Sequence, residues 1–320
     1  MLLHIILIII GIVLVLRGAD WLTEGAAALA RRMNVPEIVI GLTIVAAGTS
    51  APELFVSLVS ALKGTPDLAV GNVVGSNIMN TLLIVGVTAM VAPMTIARAT
   101  VRKDMPFTVI ASVLLLVLMM DGWLSAHAGG NRLSRSDGFV LLAGFAVFMY
   151  YTLSLARKGG VGSGGDTPQQ QRSPWLSATF VVLGLTCLVV GSNLFVSSAS
   201  AVAAALGVSE GVIGLTIVAG GTSLPELATS VVAARKGQSA LAIGNVIGSN
   251  VFNILMILGV TAAVCPMQVE GITLVDLSVM LCSVLLLWAF SYTKLTVERW
   301  EGGVLTAAYM AYLGWLLFNL

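Results

Sequence analysis

Histidine and cysteine are scarce in this chain of 320 residues: His4 and His127 fall near the N-terminus and in a predicted loop, and Cys187, Cys265 and Cys282 form no CxxC pair. That argues against a soft-metal centre, a histidine proton relay and a disulfide framework, and leaves the cysteines as small packing residues. Charge is scarce too. Asp, Glu, Lys and Arg make up 10% of the residues, where a soluble domain carries roughly 25%. The formal net charge of +1 leaves no clustered basic face for nucleic acid. Apolar residues make up 58% of the chain and the mean hydropathy is +1.00. Such a composition predicts a polytopic membrane protein.

A membrane-crossing helix needs about 20 mostly apolar residues. Ten segments qualify, at 2–23, 37–62, 68–92, 104–121, 137–156, 176–205, 210–234, 240–264, 271–293 and 303–320. The first could pass for a signal-peptide core. It lacks a basic leading region, and Arg17 and Asp20 separate its apolar run from the small residues at 26–30, so it reads as a span. Connections are short except at 157–174, where Gly, Ser, Gln and Pro mark a flexible linker. The expected fold is therefore all-α, with a first five-helix unit at 1–156, the linker, and a second five-helix unit at 175–320.

Lys and Arg collect in cytoplasmic loops. With the N-terminus outside, Arg31, Arg32, Arg98, Arg102, Lys103, Arg157, Lys158, Arg172, Arg235, Lys236, Lys294 and Arg299 all fall inside. Only Lys63, Arg132 and Arg135 fall outside, and Arg17 lies in the first span. This distribution expects both termini outside and the linker in the cytoplasm. Arg31 and Arg32 read as topology signals, and Asp20 and Glu24 as interfacial residues.

Residues 41–94 recur at 214–267, displaced by 173 without a gap, with 35 identities in 54 positions. Because each half holds an odd number of spans, the two copies enter the membrane in opposite directions. Ten helices then form two inverted five-helix repeats, an arrangement that places substrate near the bilayer midplane at the interface between halves.

Each copy carries one acidic residue inside its apolar run, Glu53 or Glu226. Each lies roughly ten residues from the nearer end of the run, or roughly 15 Å deep. An acidic side chain there costs about 2.5 kcal/mol or more, so a bound cation or a proton must compensate. Pro52 and Pro225 precede the glutamates and remove the amide donors for the Gly48 and Gly221 carbonyls, kinking the helix and freeing backbone oxygen nearby. Thr49, Ser50, Glu53 and Ser57 lie near one helix face, and Thr222, Ser223, Glu226 and Ser230 repeat them. In the following spans Asn72, Ser76 and Asn80 are spaced by four, as are Asn245, Ser249 and Asn253. Gly71 with Gly75, and Gly244 with Gly248, form GxxxG pairs that read as close-packing positions. Carboxylate, hydroxyl, amide and carbonyl oxygens together suit a hard cation such as Ca²⁺. Two carboxylates balance one Ca²⁺ or two Na⁺, which is the charge logic of an antiporter.

GTSAPE with GNVVGSN, repeated as GTSLPE with GNVIGSN, resembles the paired alpha-repeats of the calcium/cation antiporter superfamily, specifically its prokaryotic sodium/calcium exchangers. The resemblance covers the whole chain in layout and about a third of it in motif. It implies ten helices, four central cation sites, and a gate formed by the first and sixth spans sliding across them. It further implies a calcium site of Glu53 and Glu226 with the Thr49 and Thr222 carbonyls. Sodium sites would add the Ala46 and Ala219 carbonyls, Ser50, Ser76, Ser223 and Ser249, with Asn80 and Asn253 at the centre. Some exchangers of this kind carry an aspartate at one central asparagine position; here both residues are neutral, which leaves stoichiometry and electrogenicity open.

The expected activity is export of Ca²⁺ in exchange for Na⁺ by alternating access, with Ca²⁺/H⁺ exchange as the alternative. A cation channel would call for a ring of subunits repeating one filter. An intramembrane hydrolase would need a base beside Ser50 or Ser223, and no His or Lys lies at that depth. No cofactor and no protein partner are indicated beyond the two ions and the lipid bilayer. A prokaryotic inner membrane is the expected location.

Overall fold

The computed structural model describes residues 1–120, 131–157, 174–207 and 219–318. Residues 158–173 of the linker at 157–174, and residues 208–218, which include the first five positions of the second motif copy, lie outside the described residues. Helices dominate what is described. They are α1 (Leu2–Arg32), α2 (Glu37–Thr49), α3 (Ala51–Leu62), α4 (Pro66–Val91), α5 (Met105–Leu118), α6 (Arg135–Arg157), α7 (Pro174–Ala205), α8 (Ala219–Thr222), α9 (Leu224–Arg235), α10 (Ser239–Val264), α11 (Leu274–Lys294) and α12 (Arg299–Phe318). Among the described residues six are long and apolar enough to cross a membrane, and the pair α2 and α3, bent by 46°, makes a seventh.

Local chemistry sets several helix starts. Thr273 and Asp276 form a reciprocal capping box on α11. Ser134 and Asp137 exchange the same bonds at the start of α6, with Ser134 N–H on Asp137 Oδ2 at 2.7 Å and Asp137 N–H on Ser134 Oγ at 3.3 Å. Tyrosines tie the outer helices together, since Tyr151 donates to Asp104 at 2.9 Å and Tyr312 to Asp276 at 2.7 Å.

The two motif helices that follow the breaks, α4 and α10, are the most enclosed. Their apolar stretches are 78% and 83% buried, against 22% for α1 and 17% for α6, so the polar residues they carry sit at the centre of the bundle. Both contain a π-helical turn, Met79–Ile84 in α4 and Phe252–Ile257 in α10. These turns are related by the 173-residue displacement. Such turns insert one extra residue into the helix and are common at functional sites; here they contain Asn80 and Asn253.

Outside this core, α1 and α7 run antiparallel along a stripe of small residues. A Cβ added to Gly11, Gly18 or Gly25 would lie 2.8 Å from the carbonyl oxygen of Gly191, Gly184 or Ser177 respectively. The backbones therefore touch directly, which only glycine permits at these positions. The second GxxxG pair does the same for α10 against α2: a Cβ on Gly244 would lie 2.8 Å from the Ile38 carbonyl, and one on Gly248 2.8 Å from Leu42 Cα. For Gly71 and Gly75 the positions equivalent to Ile38 and Leu42 are 211 and 215, outside the described residues.

Short antiparallel strands clasp the halves. β1 (Met94–Thr95) pairs with β4 (Thr296–Val297), and β2 (Asn131–Leu133) pairs with β3 (Met267–Val269). Asp67 adds a third link by accepting the amides of Glu270 and Gly271 at 2.9 and 2.8 Å.

Candidate ion-binding site

The chain breaks its helix just before each buried glutamate, in the same way both times. Ser50, with φ −84° and ψ 7°, separates α2 from α3, and Ser223, with φ −89° and ψ 8°, separates α8 from α9. Proline at the second position of the new helix has no amide proton, so the carbonyl four residues back loses its partner. That carbonyl is Gly48 in the first copy and Gly221 in the second. In the second copy the Ser192 hydroxyl of α7 takes the place of the missing amide, donating to Gly221 O at 2.5 Å. The freed stretch is narrower than proline alone suggests, because Ala46 O still accepts the Ser50 amide at 2.9 Å. The Thr49 hydroxyl also lies 3.4 Å from Ala46 O, so that carbonyl is within reach of a second donor. Ala219 opens α8, and its side chain lies outside the described residues.

The breaks bring the carboxylates together across the halves. Glu53 and Glu226 are both 0% exposed. Ser50 donates to Glu226 Oε1 at 3.0 Å, and Ser223 donates to Glu53 Oε1 at 3.2 Å. Ser249 also donates to Glu226 Oε1 at 3.4 Å, while Ser223 lies 3.2 Å from Ser76 Oγ. Each carboxylate is thus oriented by a serine of the opposite half.

Asn72 and Asn245 act on the backbone rather than on the carboxylates. Asn72 Nδ2 donates to Glu53 O at 3.2 Å and Ser57 Oγ at 3.0 Å, and Asn245 Nδ2 donates to Glu226 O at 3.3 Å and Ser230 Oγ at 3.0 Å. They lock each glutamate's helix to the helix that follows it. Asn245 also accepts from Thr49 Oγ1 at 3.1 Å, which ties the first break to the second half. Thr49 and Thr222 are both buried.

Two asparagines not singled out by spacing complete the centre. Asn80 Nδ2 donates to Asn250 Oδ1 at 3.2 Å, and Asn253 Nδ2 donates to Asn77 Oδ1 at 3.0 Å. Asn77 and Asn250 both lie in the repeated GSNxxN stretch, so the recurrence of the first asparagine beside the second was the available signal.

Four buried side-chain oxygens in this cluster have no hydrogen-bond partner: Glu53 Oε2, Glu226 Oε2, Asn80 Oδ1 and Asn253 Oδ1. Buried polar atoms are normally satisfied, and a buried unpaired carboxylate is especially costly. All four are acceptors, and a hard cation is the partner that acceptors without donors call for. No group of three or more His, Cys, Asp or Glu able to hold a metal occurs among the described residues, so any ion here relies on two carboxylates and a neutral oxygen shell.

The family described as "Sodium/calcium exchanger protein" matches residues 3–154 and again residues 176–318. The chain belongs to the sodium/calcium exchanger family. It is 32% identical to the sodium/calcium exchanger MaX1 of Methanosarcina acetivorans, with 97% of each chain covered. It is 36% identical to the inner membrane protein YrbG of Escherichia coli (strain K12), over 99% of this chain and 97% of that one. Among solved structures, the sodium-calcium exchanger NCX_Mj soaked with 2.5 mM Na⁺ and 0.1 mM Ca²⁺ superposes with a TM-score of 0.83 at 32% identity, over 98% of both chains. The resemblance carried by the two motif copies is thereby shown, and the protein is a polytopic all-α membrane protein of the calcium/cation antiporter superfamily.

Proposed function

We propose that this exchanger exports Ca²⁺ in return for Na⁺ by alternating access at one midplane site shared between two inverted five-helix repeats. The observation that carries this reading is the reciprocal pairing of Ser50 with Glu226 and Ser223 with Glu53, beside four acceptor oxygens that have no donor. Glu53 and Glu226 are the charged ligands. Thr49, Thr222, Ala46 and Ala219 contribute carbonyls, Ser50, Ser76, Ser223 and Ser249 hydroxyls, and Asn80 and Asn253 amide oxygens. The ligands come from both halves, so a shift of one half against the other reshapes the site. Two negative charges are neutralised by one Ca²⁺ or two Na⁺, and an empty site carrying both charges through the bilayer is disfavoured. That couples the two fluxes.

Contacts between helix ends and connections support the ten-helix topology. β1 with β4, β2 with β3, Asp67 with Glu270, and Lys236 with Asp20 each join segments that the proposed topology assigns to the same membrane face. In that topology both termini lie outside and the linker at 157–174 lies in the cytoplasm of a prokaryotic cell.

Ca²⁺ uptake into vesicles under an imposed Na⁺ gradient tests the counter-ion. The proposal expects uptake that follows the Na⁺ gradient, saturates with Ca²⁺ and persists when the pH gradient is collapsed. Uptake driven by a pH gradient alone would instead make this a Ca²⁺/H⁺ antiporter.

A further inference from the structure

We infer that Asn77 is a positioning residue that dictates an amide, not a carboxylate, at position 253, and so fixes the central ligands of the site as neutral. The inference rests on the reading of Glu53, Glu226, Asn80 and Asn253 as ion ligands. A backbone carbonyl can only accept a hydrogen bond. Asn77 Nδ2 lies 3.3 Å from Asn250 O, so the amino group of Asn77 faces that carbonyl and its oxygen faces the other way. There, Asn77 Oδ1 lies 3.0 Å from Asn253 Nδ2. Turning Asn77 over would set its oxygen against the Asn250 carbonyl. Turning Asn253 over would set two oxygens against each other. The remaining atom, Asn253 Oδ1, is the one left without a partner.

Asn80 is held in the same sense by Asn250 Oδ1, while Asn250 Nδ2 donates to Thr81 Oγ1 at 2.8 Å. Asn77, Asn80, Asn250 and Asn253 are all 2% exposed or less, so water does not substitute for these partners. Asn80 and Asn253 lie about one turn beyond Ser76 and Ser249, the serines that reach Ser223 and Glu226. The pair of free amide oxygens therefore extends the carboxylate cluster along α4 and α10. A carboxylate at 253 would meet the Asn77 oxygen at hydrogen-bond distance with no proton between them.

A double-mutant cycle on equilibrium binding of radioactive Ca²⁺ to the purified full chain tests this, with gel filtration and thermal unfolding as controls for folding. Asn77→Ala is expected to weaken Ca²⁺ binding roughly threefold to tenfold in the wild-type background, because the Asn253 amide is no longer held. In the Asn253→Asp background the same substitution removes an opposing oxygen and is expected to tighten binding by a similar factor. The reversal of sign is the signature, whatever the added charge does by itself. A change of the same sign and size in both backgrounds overturns the inference. If Asn77→Ala does not fold, the equivalent cycle of Asn250→Ala with Asn80→Asp carries the same expectation and the same refutation. Glu226→Gln separates the two levels. Loss of Ca²⁺ binding in that variant without sign reversal in the cycle removes only the role of Asn77, whereas retained binding removes the site reading on which it rests.

Discussion

Ser50 of the first half donates to Glu226 of the second at 3.0 Å, so the carboxylate of one repeat is aimed by the helix break of the other. Ser223 returns the bond to Glu53 at 3.2 Å. Neither bond can form within a single repeat. The cluster therefore exists only when both halves are docked, and any relative motion of the halves reorients both glutamates at once.

Removing one of these serines leaves a carboxylate oxygen short of a donor in a buried place, a loss of about 1–3 kcal/mol. Ser50→Ala and Ser223→Ala are each expected to raise the apparent KM for Ca²⁺ by roughly tenfold while sparing the maximal rate more than the affinity. Flux assays over a Ca²⁺ titration check this. Unchanged KM in both variants would mean that the serines do not orient the carboxylates.

The glutamates themselves are decisive. Glu53→Gln or Glu226→Gln keeps side-chain size and removes the charge that, in the proposed site, balances the ion. Ca²⁺ flux is expected to vanish in either variant while the thermal midpoint stays within a few degrees or rises, because a neutral amide is easier to bury than a carboxylate. Reconstituted flux and thermal unfolding read the two effects separately. Near-normal flux in either variant contradicts a shared site.

Much of this site is legible in the sequence because burying a charge in a membrane is so unfavourable that its positions stand out. Glu53 and Glu226 are the only charges in their apolar runs, and the repeat doubles the signal. Asn77 and Asn250 escape that logic. An asparagine carries no charge, and its importance depends on which atom meets which partner across the interface. The π-helical turns at Met79 and Phe252 also defeat a reading by regular spacing, since the asparagines they carry leave the ideal helical register. Ser192 lies on α7, far from either motif in sequence, and only tertiary packing brings its hydroxyl to Gly221. Asp20 and Glu24, read as interfacial, are ion-pair partners of Lys236 at 2.9 and 3.5 Å.

Lys236 also donates to Thr23 Oγ1 at 3.1 Å, so it fastens α1 to the end of α9. The position 173 residues earlier is Lys63, whereas Asp20 and Glu24 correspond to Asn193 and Ser197. The charged clamp thus exists on one side of the repeat pair only. Its ion pairs are partly solvated, which limits each to about 1 kcal/mol or less. Lys236→Ala is expected to lower the thermal midpoint only slightly. It is also expected to increase labelling of a cysteine introduced at Ala27, a buried position one turn beyond Thr23 on α1, by a thiol reagent, because α1 separates from α9 more often. Equal labelling with and without Lys236 would show that the clamp does not hold the helices together.

Close backbone contact between α1 and α7 makes a sharper demand. Gly18→Ala puts a methyl group 2.8 Å from the Gly184 carbonyl and 2.9 Å from the Leu188 amide. No rotamer relieves it, so the helices must part, and overpacking of this kind costs about 1–3 kcal/mol. A lowered thermal midpoint is expected, with Gly303→Ala, where a Cβ meets nothing within 4 Å, as the neutral control. Equal stability of the two variants would contradict the stripe.

The second break offers a test by repair. A Cβ on Gly221 runs into the Cγ2 methyl of Val196 on α7, and this is the carbonyl that Ser192 holds from the same helix. Gly221→Ala should therefore push α7 away, break the Ser192 bond and weaken Ca²⁺ flux together with stability. Val196→Ala removes the obstructing methyl, so the double variant should recover most of both. Ser192→Ala dissects the other contact, because it leaves the valine in place and removes only the donor, at a cost of about 1–3 kcal/mol if no water reaches the carbonyl. Combined with Gly221→Ala it should add little, since the alanine has already broken that bond, and the two effects should fall short of their sum. Full additivity would place Ser192 and Val196 in separate contacts, and failure of Val196→Ala to rescue would mean that the damage at Gly221 comes from backbone strain within α8 and not from the packing of α7.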